Sequence, residues 1–95
     1  MGAGQGNGGA DMDLWDLREE TVFRDLRLSL GRHPQTGQPC VLFMVQCGIG
    51  EYAARVQISE EDFRRFREDP GLTLPLTDRY QGLNREQVRA LGAEC

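Results

Sequence analysis

The sequence predicts an α+β fold: a three-stranded antiparallel β-meander followed by two short α-helices, with a disordered glycine-rich N-terminus. Three observations carry that reading. Apolar and polar residues alternate over residues 26–30 and again over 52–58. Between them CVLFMVQC, residues 40–47, is apolar at both parities, the pattern of a central strand rather than an edge. Beyond residue 58, two stretches begin with capping residues and carry apolar positions at helical spacing.

Residues 1–12 are dominated by Gly, Ala, Gln and Asn and are expected to form a disordered tail, leaving residues 13–95 as a single small domain. The tail contains a literal G-x-G-x-x-G at Gly4, Gly6 and Gly9. A phosphate-binding loop needs a strand before these glycines and a helix directly after them, so that backbone N–H groups converge on the anion. Only Met1 and Gly2 to Ala3 precede Gly4, and an acidic segment follows, so the tail is read as slack. In DMDLWDL, residues 11–17, Asp13 is placed to cap a short helical turn carrying Leu14 and Leu17, with Trp15 beside them. The same segment also reads as an acidic, aromatic recognition element.

Leu26, Leu28 and Leu30 alternate with Asp25, Arg27 and Ser29 as a half-buried strand. GRHPQTGQP, residues 31–39, is a hairpin loop, and Cys47-Gly48-Ile49-Gly50 is a tight reversal. Short connections imply antiparallel neighbours with the second strand in the middle. Ser59 caps a helix whose buried stripe is Phe63 and Phe66, and Glu60–Arg64 and Glu61–Arg65 are expected as i,i+4 ion pairs. LTLPLT, residues 72–77, reads as an extended or irregular connection. Asn84 and Gln87 form a capping box for the last helix, Leu83 staples onto Val88, and Gly92 ends it.

Charge narrows the range of functions. Of the 95 residues, 15 are acidic and 11 basic, and every basic residue is Arg, for a net charge of −4. Asp11, Asp13, Asp16, Glu19 and Glu20 against Arg18 account for all of it, so the body from Thr21 onward is neutral. A neutral body lacks the positive field that nucleic-acid binding uses, which argues against such a partner. No apolar run approaches the length needed to span a bilayer, and no signal-peptide pattern is visible, so a cytoplasmic protein is expected. Cys40, Cys47 and Cys95 form no even framework, and Cys40 and Cys47 fall on opposite faces of one strand; reduced structural thiols are expected.

No catalytic, cofactor-binding or metal-binding constellation is expected. The lone histidine, His33, has no ligand set at metal spacing and reads as a solvated loop residue. Ser29 and Ser59 sit on a strand and at a helix cap, away from any base. The surface that remains is one face of the meander. Its central row is Val41, Phe43 and Val45 or, in the other register, Cys40, Leu42 and Met44. The candidate interaction residues are Leu14, Trp15, Leu17, Arg27, Val41, Phe43, Val45, Arg55 and Gln57. The expected function is a small non-catalytic interaction protein of the inhibitor, immunity, antitoxin or adaptor type, by analogy with small acidic bacterial proteins. Its partner is another protein, or a second copy of this chain. The alternatives are an enzyme or cofactor-binding site assembled across a dimer from His33, Cys47, Glu51 and Arg55, and single-stranded nucleic-acid binding on the sheet through Phe43.

Overall fold

The computed structural model describes residues 17–95. Its order is β1 (Arg18–Phe23), a 3-10 turn (Arg24–Leu26), β2 (Leu28–Arg32), β3 (Pro39–Cys47), β4 (Gly50–Gln57), α1 (Glu60–Glu68), a second 3-10 turn (Pro70–Thr73), α2 (Leu74–Asp78) and α3 (Arg85–Ala90). The α+β class and the antiparallel meander are as expected, but the sheet has four strands in the order β1-β2-β3-β4, and the helices number three.

The fourth strand is β1, which directly follows the segment read as a helical turn and was not expected as a strand. Its alternation is hidden by an irregularity between Arg18 and Thr21, where Glu19 takes a φ of 54°. An extra residue there shifts parity, so no simple two-residue period can be read across it. Leu26 is not on a strand with Leu28 and Leu30, because Arg24–Leu26 turns before β2, with Arg27 at φ 57°. LTLPLT is mostly helical: Pro70 and Pro75 sit at N-terminal helical positions, where their fixed φ and missing N–H suit the first turn. The proposed tail over residues 1–12, the Asp13 cap and the side chains of Leu14 and Trp15 lie outside the described residues.

Register decides which face is buried. Leu28 pairs with Phe43 and Leu30 with Val41; Val41, Phe43 and Val45 then pair with Val56, Ala54 and Tyr52. These eight residues form the inner face, and they pack with Phe63 and Phe66 of α1, Tyr80, Val88 and Ala93 into one core. The Phe43 and Tyr80 rings meet at 5.6 Å in a tilted arrangement, and the Tyr52 hydroxyl donates to the Leu83 carbonyl at 2.6 Å.

The helices begin as their caps dictate. Ser59 Oγ accepts from the Asp62 N–H, and Asn84 and Gln87 form a reciprocal capping box. Gly92, at φ 96°, follows α3. The expected i,i+4 pairs of α1 do not form: Glu60 instead receives two hydrogen bonds from the Arg32 guanidinium, at 2.8 and 2.9 Å, and Arg65 turns to Asp62. A bidentate arginine from β2 outcompetes a single intrahelical contact. Arg32 also lies 4.9 Å from the centre of the Phe63 ring, so this one side chain ties α1 to the sheet.

Local devices cap the overhang of β3 and one position on the outer edge of β4. The β2–β3 pairing ends at Leu28 and Phe43, so β3 outruns its neighbour. Gln81 fills the gap: its side chain accepts from the Gln46 N–H at 2.9 Å and donates to the Met44 carbonyl at 3.1 Å, while the Gly82 N–H donates to the Gln46 carbonyl at 2.7 Å. On the outer side of β4, Arg55 and Glu94 exchange both backbone hydrogen bonds, at 2.8 Å each. No described helix is long and apolar enough to cross a membrane.

Two outcomes follow. A Gly31→Ala substitution would bring a Cβ to 2.6 Å from Leu17 Cβ and 2.8 Å from the Arg18 carbonyl oxygen, so it should destabilise the domain by about 1–3 kcal/mol. Urea unfolding of the two proteins measures this, and equal midpoints would show that the close approach is relaxed in solution. Arg32 holds the Glu60 carboxyl below its ordinary value. The stability it adds is present above the unfolded carboxyl pKa and is lost as pH falls through the lower folded value. Thermal melts between pH about 6 and about 3 should therefore show a slightly shallower acid limb for Glu60→Gln than for wild type.

Candidate functional site

With odd-numbered Val41, Phe43 and Val45 turned into the core, at 0%, 3% and 0% exposure, the other parity of β3 faces outward. The candidate row Val41, Phe43 and Val45 is thereby corrected: these side chains are covered by the helices, and the back face carries Cys40, Leu42 and Met44. Phe43, the aromatic on which a base would have stacked, is internal.

The back face has an apolar middle and two polar ends. Leu42 and Met44 are half-buried, with Ala53 opposite Met44 and exposed Val22 reaching the same face from β1. Val22, Ser29, Leu42 and Arg55 form one lateral row across the four strands. At the end near the β3–β4 hairpin, Arg27 and Glu51 are joined at 3.1 Å across β3. The turn beyond them is Gly48-Ile49, with Gly48 at φ 64° and Ile49 fully exposed at the tip.

At the other end, Arg55 is buried with only 3% of its side chain exposed, not a solvated rim residue as its polar position in the alternation suggested. Its Nε donates to Glu94 Oε1 at 2.7 Å, and its guanidinium lies 3.1 Å from His33 Nε2. His33 is consequently not a solvated loop residue. Its Nδ1 lies 3.1 Å from the Gln35 N–H, and its Nε2 lies 3.9 Å from Glu94 Oε1. A neutral imidazole carries one proton, so only one of its nitrogens accepts at a time: from Arg55 at Nε2, or from the turn amide at Nδ1. Gln57 lies on the same face and donates to the Gln38 side chain at 3.2 Å.

Of the residues singled out in the sequence, Arg27, Arg55 and Gln57 thus share the back face. Leu17 joins them from above: it is 7% exposed and sits over Gly31, the residue opposite Cys40. Glu94 was missed, because nothing in a single sequence shows that three residues beyond a helix-ending glycine fold back onto a sheet edge. The four residues of the alternative dimer site divide within one chain. His33 and Arg55 meet near the β2–β3 loop, whereas Cys47 and Glu51 flank the hairpin at the opposite end of β3.

Cys40 lies at the buried floor of the Arg55 end, with its thiol donating to the Gln38 carbonyl at 3.3 Å. Burial pushes this thiol up; Arg55 pulls the other way and Glu94 reinforces the rise. Among the described residues, no cluster of three or more His, Cys, Asp or Glu side chains could hold a metal ion. In native protein, iodoacetamide should modify Cys47 and Cys95 well before Cys40, by mass spectrometry of timed samples; equal rates for all three would mean that this end of the sheet opens readily. Compared with known proteins, the chain matches no family model, no curated protein and no solved structure.

Proposed function

We propose that this chain is a non-catalytic binding module that docks another protein on the back face of its sheet. The observation that carries the reading is the half-exposed pair Leu42 and Met44, set between the Arg27–Glu51 pair and the Arg55–Glu94–His33 cluster. Apolar burial supplies affinity at the centre of such a surface, and charged groups at its margins set orientation. The inner face already has its cover in α1, α2 and α3, so among the described residues the back face is the side left to a partner.

Sheet edges are the other common docking route, through strand addition. Here Glu94 pairs with Arg55 on the outer edge of β4, and β1 carries Glu19, Glu20 and an irregular register, features that oppose strand addition. Both considerations favour the face over the edges. A partner suited to it presents one or two aliphatic or aromatic side chains with polar groups on either side. The adaptor, inhibitor and antitoxin roles all use such a surface and differ only in the partner's identity.

The test is affinity capture from the native host with wild type, Leu42→Asp and Met44→Asp, with circular dichroism to verify folding. A protein retained by wild type and lost from both folded variants is the expected result. Equal retention by all three would rule out the back face.

A further inference from the structure

The second 3-10 turn and α2 are amphipathic the wrong way round. Their buried residues are Thr73 and Thr77, four apart, while Leu72 and Leu74 stand 40% and 44% exposed. Each threonine turns inward because its hydroxyl is satisfied locally. Thr73 Oγ1 donates to the Pro70 carbonyl at 2.7 Å, and Thr77 Oγ1 to the Leu74 carbonyl at 3.3 Å. Burial favours leucine inside and threonine outside, so stability alone does not account for this arrangement. The outward side of the segment borders a groove of about 730 Å³, the size of a cleft that takes a few side chains. Leu72 and Leu76 line it together with Phe66 of α1 and Ile58 just ahead of that helix.

The charges of the groove are unbalanced. Arg65 and Arg79 line it against a single carboxylate, Asp62, which lies 3.4 Å from Arg65. Arg79 is exposed and enters no ion pair among the described residues, and Asp78 beside it lines a different groove. We propose that this groove docks a short segment of another protein, one that carries two or three apolar side chains beside an Asp or Glu. The carboxylate meets Arg79 and Arg65 through charge-assisted hydrogen bonds, and the apolar side chains cover Leu72 and fill the space between Leu76 and Phe66. A basic segment would instead face two like charges. The groove meets the back face only at Gln57 and Gln38, and neither Leu42 nor Met44 lines it, so the proposal does not rest on the reading given above.

Random peptides displayed on phage and selected on the folded full-length chain test this. The enriched sequences should place apolar residues beside Asp or Glu. Made synthetically, they should bind as saturable one-to-one complexes by fluorescence anisotropy. Affinity should fall by about tenfold or more in Leu72→Asp and in Arg79→Glu, and should weaken in high salt. Leu42→Asp should bind them as wild type does. Both Leu72 and Arg79 are exposed, so neither substitution disturbs the core, and circular dichroism verifies that each variant is folded. Peptides that bind the Leu72 and Arg79 variants as tightly as wild type overturn the site, and loss in Leu42→Asp alone would assign them to the back face. A basic consensus overturns the acidic partner. No enrichment on the full-length chain overturns the proposal, whether the groove goes unused or the chain's own N-terminal residues fill it. A dimer of the full-length chain that Leu72→Asp dissociates, by sedimentation, overturns it in favour of a second copy.

Discussion

The pairing of Phe43 with Leu28 on one side and Ala54 on the other sets the character of the whole molecule. β3 is apolar at both parities, so hydrophobicity alone would let either row face the helices. Its neighbours remove that freedom: only one register aligns Leu28 and Leu30 of β2 with Tyr52, Ala54 and Val56 of β4 across a common face. Once Val41, Phe43 and Val45 are committed to the core, Cys40, Leu42 and Met44 must lie on the other side. The partly exposed pair Leu42 and Met44 is therefore a consequence of core formation. A slip by one residue would bury Arg55 and Gln57 beneath the helices, with no partners of the kind Arg55 now has.

The edges obey the same logic of satisfied backbone groups. A short sheet with one helical layer leaves two outer strands and any overhang to be managed. Gln81 supplies a side-chain amide with both a donor and an acceptor at the β3 overhang, imitating a strand neighbour. Glu94 does the equivalent with its backbone beside Arg55. The irregularity at Glu19 interrupts the ladder of β1. Among the described residues the back face is the broad surface without a helical cover, and a face selects partners by shape and side-chain chemistry, where an exposed strand edge would accept almost any extended peptide.

Local signals with a fixed mechanism were legible in the sequence. Ser59, Asn84 with Gln87, and Gly92 act through hydrogen bonds or φ within a few residues, so their roles survive in the fold. The same holds for the two hairpins and for Phe63 and Phe66. Features decided by distant partners were not legible. Glu60 abandons Arg64 for Arg32, 28 residues away in sequence, because the sheet brings a better donor. β1 was hidden by its parity shift, and LTLPLT by prolines that mark a helix start as readily as an extended run. At the candidate site, Arg27, Arg55 and Gln57 were correctly placed opposite the leucines by alternation. The row between them was not, since both rows of β3 look alike until registered.

Arg55 shows why the back face has direction. Burying a guanidinium is unfavourable unless its charge and its donors are matched. Glu94 supplies one such match, with its own side chain 55% exposed, and its backbone pairs with that of Arg55, so the ion pair and the strand contact hold one another in place. Arg27 and Glu51, by contrast, are both substantially exposed and contribute little to stability. The two ends of Leu42 and Met44 are thus unlike: at one a buried guanidinium meets a partly exposed carboxylate, at the other both charges are exposed. Any segment lying across the apolar centre meets different electrostatics at its two ends. That asymmetry gives an otherwise plain hydrophobic patch a preferred orientation for whatever covers it.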